Sequence, residues 1–141
     1  MKLWDASAVV PLILDETHRE ALLSLLDREP VMLVWWGTRV ECTAAVARRE
    51  REGALTPADA ATALARLRAL AADWEEVGAA DAVRTTAERL LRVHPLRSAD
   101  SLQLAAAIVA ADHEPATLEF VCLDDRLNDA ASREGFPVVM L

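Results

Sequence analysis

Apolar residues in this chain fall into short continuous runs, separated by longer segments in which they recur every three to four positions. Continuous runs mark strands buried on both faces, and the 3.6-residue recurrence marks helices with one buried stripe. Lys2 to Asp5 reads as a first strand, Val31 to Trp35 as a second and Trp74 to Val77 as a short third. Leu118 to Leu123 reads as a fourth and Val138 to Leu141 as a last. Helices with recognisable starts lie between them. Thr17-His18-Arg19-Glu20 has capping-box spacing ahead of Leu22, Leu23, Leu25 and Leu26. Thr38-Arg39-Val40-Glu41 has the same spacing ahead of an Ala-rich helix that stops at Gly53. Thr56-Pro57-Ala58-Asp59 places proline at the first helical position after an N-cap and opens a helix to about Ala72. Ala80 to Val93 is amphipathic and ends at His94-Pro95. Ser98 caps a helix to about Ala111, and Asp125 to Glu134 forms another, closed by Gly135. Strands alternating with helices predict a parallel sheet covered on both faces.

Length and composition bound this picture. The 141 residues are about one domain's worth of chain, and no linker, low-complexity tract or internal repeat divides them. Residues 1–141 therefore read as a single domain. Apolar residues make up 53% and charged residues 27%, which excludes disorder and supplies a core. Cys42 and Cys122 are too few for a disulfide framework or a four-ligand zinc site, and read as buried small hydrophobes in a reducing compartment. No run of about 18 uncharged apolar residues exists, and Met1-Lys2-Leu3-Trp4-Asp5 lacks a cleavable signal pattern, so a soluble cytoplasmic protein is expected. Fifteen basic against 23 acidic residues leave a net charge of −8, which by itself argues against a general nucleic-acid binder. What matters is where the acids stand.

In an open parallel sheet, chemistry sits in the crevice beyond the carboxyl ends of the strands. Asp5 ends the first strand and Asp124 follows the apolar run Leu118 to Leu123, so both point to that edge. Glu41 and Asp100 each fall in the first turn of a helix, and four acids from four distant segments then converge. Other readings stay open at each position. Asp5 also suits a turn, Glu41 also completes a capping box with Thr38, and Asp100 also suits the positive end of a helix dipole. Asp125 competes with Asp124 as the inward acid. Gathered carboxylates repel one another and need protons or a cation, and oxygen-only ligands select hard ions such as Mg²⁺. Such a centre activates water for in-line displacement at phosphorus. Ser7, two residues after Asp5, is placed to hydrogen-bond a carboxylate, a water or a phosphate. With only four glycines there is neither GxGxxG nor a Walker pattern.

Taken in order, Trp4-Asp5-Ala6-Ser7-Ala8, Arg39-Val40-Glu41-Cys42, Leu96-Arg97-Ser98-Ala99-Asp100-Ser101-Leu102-Gln103-Leu104-Ala105 and Val121-Cys122-Leu123-Asp124-Asp125-Arg126-Leu127 resemble the PIN-domain family. More narrowly they resemble VapC-type toxin ribonucleases of toxin–antitoxin pairs. The motifs span nearly the whole chain, and their order carries the likeness. The resemblance implies a PIN-like three-layer α/β/α sandwich with a mostly parallel central sheet. It also implies an Mg²⁺- or Mn²⁺-dependent endoribonuclease whose acidic site is Asp5, Glu41, Asp100 and Asp124. Asp5 and Asp100 would be the firmest metal ligands, Asp124 would complete the centre directly or through water, and Glu41 would hold a water or a second ion. The implied products carry a 5′-phosphate and a 3′-hydroxyl. The implied partners are RNA, a second copy of the chain, and a VapB-type antitoxin whose C-terminal segment puts a basic side chain into the acidic pocket. The chain departs from the family at Cys122, where Thr or Ser often stands, and at Leu123 before Asp124.

RNA would then be drawn by local arginines and the ion, not by net charge. Arg97 and Arg126 beside the acids are candidate phosphate contacts, as are Arg39, Arg48, Arg49 and Arg51 on the Glu41 helix. Trp35 and Trp36 fit core packing better than base stacking or a dimer contact. Three rivals remain: a non-toxin PIN nuclease, a phosphotransferase using Asp5 as nucleophile, and a receiver-like or inactive α/β binding module. The phosphotransferase lacks a second acid two residues after Asp5. The receiver lacks a late lysine, since Lys2 is the only one.

Overall fold

Side chains alternate across a strand, so a buried parallel sheet sends every second residue to each of two cores. The computed structural model, which describes residues 1–141, contains four strands: β1 (Lys2–Trp4), β2 (Met32–Trp35), β3 (Glu75–Val77) and β4 (Glu119–Val121). They form one all-parallel sheet in the order β3-β2-β1-β4. Leu3 stands opposite Leu33 on one side and Phe120 on the other. With Trp35 these residues enter a core of 19 buried residues closed by α5 (Asp81–Val93), α6 (Ser98–Ala110) and α7 (Asp125–Arg133). Trp4, Met32, Val34 and Val121 face the other way, into a second core of 19 residues. There they meet α1 (Ala6–Ile13), α2 (Arg19–Arg28), α3 (Thr38–Arg51) and α4 (Pro57–Asp73). This is the PIN-like α/β/α sandwich expected from the sequence.

Several local expectations need correction. Helix α1 was not anticipated, because Ala6 to Ile13 is apolar nearly all round and so carries no helical period. It forms because Asp5 caps it and because seven of its eight residues are buried, which outweighs the proline at position 11. The expected last strand, Val138 to Leu141, is reduced to one bridge between Phe120 and Val138. Thr17 does not cap α2; His18 occupies that position in the left-handed region. Ser98 is the first residue of α6 instead of its cap, a role taken by Arg97. The Thr56 box does form, with Thr56 Oγ1 accepting from Asp59 N–H at 3.1 Å and Asp59 Oδ2 from Thr56 N–H at 3.4 Å. Gly53 and Gly135 end α3 and α7 in left-handed turns. After Gly53, the amide of Ala54 returns to Arg49 and that of Gly53 to Glu50, a Schellman closure. No helix is long and apolar enough to cross a membrane.

Candidate active site

The strand order creates the site. From β1 the chain builds outward through β2 and β3, and β4 then returns to the free side of β1. The segments that leave β1 and β4 become α1 and α7, which pack on opposite faces of the sheet. A crevice opens between two strands whose following helices diverge in this way. Asp5 and Asp124, the N-caps of those two helices, stand at its mouth. The corner between β4 and α7 is tied to Asp5 through Ser7. Ser7 N–H donates to Asp5 Oδ2 at 3.0 Å, and Ser7 Oγ accepts from the amide of Leu123 at 2.9 Å. The Cys122 thiol is 3.5 Å from Asp5 Oδ2 and accepts from the amide of Asp124 at 3.3 Å.

Asp5 is only 4% exposed. Burial raises its pKa, the hydrogen bonds from Ser7 oppose that, and the charge of Asp100 adds to it. Glu41, half-buried on α3, is raised to about 7 by burial first and by the charges of Asp5 and Asp100. Asp100, on the first turn of α6, is raised by burial and by Asp124, while Arg97 and Arg126 pull it down. The four acids therefore sense one another across four segments. Asp124 rather than Asp125 is the acid that acts on Asp100, and its Oδ1 accepts from Leu127 N–H at 2.9 Å. None of the four has an arginine, lysine or histidine within 4.0 Å. The one lysine, Lys2, is buried at the start of β1 and paired with Glu29, away from the cluster.

The donor chemistry suits a hard divalent cation: carboxylates, a hydroxyl and no histidine. The side chains are nevertheless not closed into a cage. No group of three His, Cys, Asp or Glu is placed to hold an ion between its members. An ion at this edge would keep much of its water shell, as Mg²⁺ does when one or two carboxylates bind it.

Glu41 does not close a capping box. Thr38 lies inside α3, whose N-cap is Gly37, and is fully buried. A Cβ on Gly37 would come within 2.5 Å of the Trp35 indole, so only glycine fits between that buried ring and α3. The partner of Thr38 is Gln103 on α6, whose Nε2 donates to Thr38 Oγ1 at 2.9 Å and to Glu41 Oε1 at 3.2 Å. Sequence reasoning missed Gln103, although one signal marks it. It is the only strongly polar residue of the run Leu102 to Ala111, one helical turn after Asp100. Among the arginines, Arg97 and Arg126 flank Asp100 and are exposed. Arg49 is not a free phosphate contact, since its guanidinium holds Glu16 at 2.7 Å and the Ala45 carbonyl at 3.2 Å. Trp35 is buried and Trp36 is exposed, their rings meeting edge-on at 6.4 Å.

Fold and site together define an α/β/α sandwich on an all-parallel sheet, with acids at its switch point that have no basic group within 4.0 Å. Among solved structures, the fold is similar to that of FitAcB from Neisseria gonorrhoeae. The TM-score is 0.67 at 16% sequence identity, over 99% of this chain and 97% of that one. No family model matches the sequence. No curated protein matches it either.

Proposed function

We propose that this chain is a divalent-cation-dependent endoribonuclease of the PIN type, the toxin member of a VapBC-type pair. One observation carries the reading. Asp5, Glu41, Asp100 and Asp124 come from four separate segments at the switch point. Burial and neighbouring carboxylates raise the proton affinity of Asp5, Glu41 and Asp100, and no basic group lies within 4.0 Å of any of the four. Clustered carboxylates of this kind cost stability until protons or a metal offset them. The likeness of fold to FitAcB over nearly the full length supports reading the motifs as one ordered set.

Mg²⁺ or Mn²⁺ would be held by Asp5 and Asp100, with Asp124 completing the set directly or through water. When bound, it would supply Lewis acidity at phosphorus and lower the pKa of water. The chain's own residues do the placing. Ser7 fixes the Asp5 carboxylate against the β4–α7 corner, and Gln103 fixes Glu41 where it would orient the attacking water. Arg97 and Arg126, beside Asp100, would meet substrate phosphates. An antitoxin would silence the site by placing a basic side chain among the same four acids, and a homodimer is the expected assembly.

The test is RNA cleavage by the purified chain in Mg²⁺ or Mn²⁺, compared with Asp5→Asn and Asp100→Asn. Each substitution should lower the rate by about a hundredfold or more, since even outer residues of metal sites cost 10- to 100-fold. Undiminished cutting by both variants would overturn the assignment.

A further inference from the structure

A groove of about 650 Å³ leads away from the acidic cluster, beginning at Ser7 and Glu41 and running between the α1–α2 corner and α3. Val10, Pro11 and Leu123 supply apolar surface among its otherwise largely polar lining. Two of the three carboxylates that line it are paired, Glu41 being the exception. Glu16 is held by Arg49 at 2.7 Å, and Asp15 lies 3.7 Å from Arg19 and 3.6 Å from Arg66. Thr17, Arg48 and His18 are the free polar groups on the walls. Arg48 has no carboxylate within 4.0 Å, and the His18 ring makes no hydrogen bond. His18 also holds φ at 75° with ψ at −5°, a left-handed conformation that glycine adopts without cost. Its imidazole is therefore not what maintains the turn.

We infer that this groove carries single-stranded RNA away from the scissile bond, with Arg48 holding a backbone phosphate and His18 meeting a base. The inference rests on the nuclease reading above and deepens it. Polyanion binding needs an unpaired cation, and Arg48 is the one the groove supplies. A single strand presents base faces that the apolar side chains of Val10, Pro11 and Leu123 and an imidazole can receive, whereas a duplex hides them. The groove reaches the cluster at Glu41, one of the four acids, and at Ser7, which donates to Asp5.

The test is binding of a fluorescein-labelled oligouridylate to the full chain in Mg²⁺, with Asp100→Asn in every arm to suppress cleavage. Arg48→Ala should weaken binding about threefold or more and flatten the log–log salt dependence by about 0.7, one single-strand phosphate contact. His18→Gly should also weaken binding, while its melting temperature holds or rises because the left-handed turn is relieved. Arg84→Ala is the control, an exposed arginine paired with Asp81 on the opposite face of the sheet, and should leave the affinity within about twofold of the background. Binding by Arg48→Ala and His18→Gly equal to that of the control would overturn the groove and leave the nuclease reading standing. No RNA binding in any arm would overturn the groove, while cleavage by the unsubstituted chain decides the nuclease reading separately. A loss of stability in His18→Gly matching its loss of affinity would make the histidine structural and remove it from the path.

Discussion

A primary amide with no exposed surface must be hydrogen-bonded or it costs folding energy. Gln103 meets that demand with Thr38 and Glu41, and in doing so joins α6 to α3 across the end of β2. Gln103→Leu should destabilise the protein by about 1–3 kcal/mol, because Thr38 is left without a partner. It should also shrink the rise in melting temperature produced by Mg²⁺, because Glu41 loses its orientation. A merely structural glutamine would change the first measurement and not the second. Glu41 itself gives a pH signature. Its pKa is raised to about 7 in the folded chain, against about 4.3 when unfolded. The unfolded chain therefore ionises first, and metal-free stability should decline as pH climbs from roughly 4 to 7. Urea midpoints measured in chelator should show that decline, and Glu41→Gln should flatten it. At this scale the placement of the four acids was legible in the sequence, because each sits at a strand end or in a first helical turn. Gln103 was not, because its neighbours are apolar and nothing local reveals which helix it faces.

Helix α7 begins on a residue with two duties. Asp124 accepts from Leu127 N–H as an N-cap and also places its charge beside Asp100. Asparagine caps as well as aspartate, whereas alanine costs about 1 kcal/mol. Asp124→Asn should thus keep thermal stability within a few tenths of a kcal/mol of wild type while cleavage falls; Asp124→Ala should lose both. Melting curves beside rate measurements separate the two roles. The sequence signals for elements held where chemistry was local, as in the Thr56 box and the glycine closures at Gly53 and Gly135. They failed where tertiary contacts decided. Thr38 matched a capping box by spacing, yet its hydroxyl is drawn to Gln103. Helix α1 had no readable period because almost all of its surface is covered.

Across the whole molecule, the four clustered acids have no basic group within 4.0 Å, whereas seven acids elsewhere have found one. Glu134 is the clearest of the second kind. It ties the end of α7 to α5 through Arg89 at 2.7 Å and to His94 at 2.8 Å. Arg89 and His94 hold its pKa below the usual carboxylate range. Its contribution is therefore complete above the unfolded value of about 4.3 and vanishes as pH falls through the lower folded one. Unfolding followed from pH 5 to pH 2 should be steeper in wild type than in Glu134→Gln. Strand order is what the sequence told least about. Alternating strands and helices announced a parallel sheet, but the pairing of β4 with β1 joins opposite ends of the chain and leaves no local mark.

That pairing also sets a time at which the acidic cluster first exists. A ribosome that has released the chain only through α5 has made Asp5 and Glu41, but neither Asp100 nor Asp124. On that nascent chain β1 still has one open side, where β4 will later dock. Whatever chemistry the four acids perform is therefore withheld from every translation product that stops short of β4 and the start of α7.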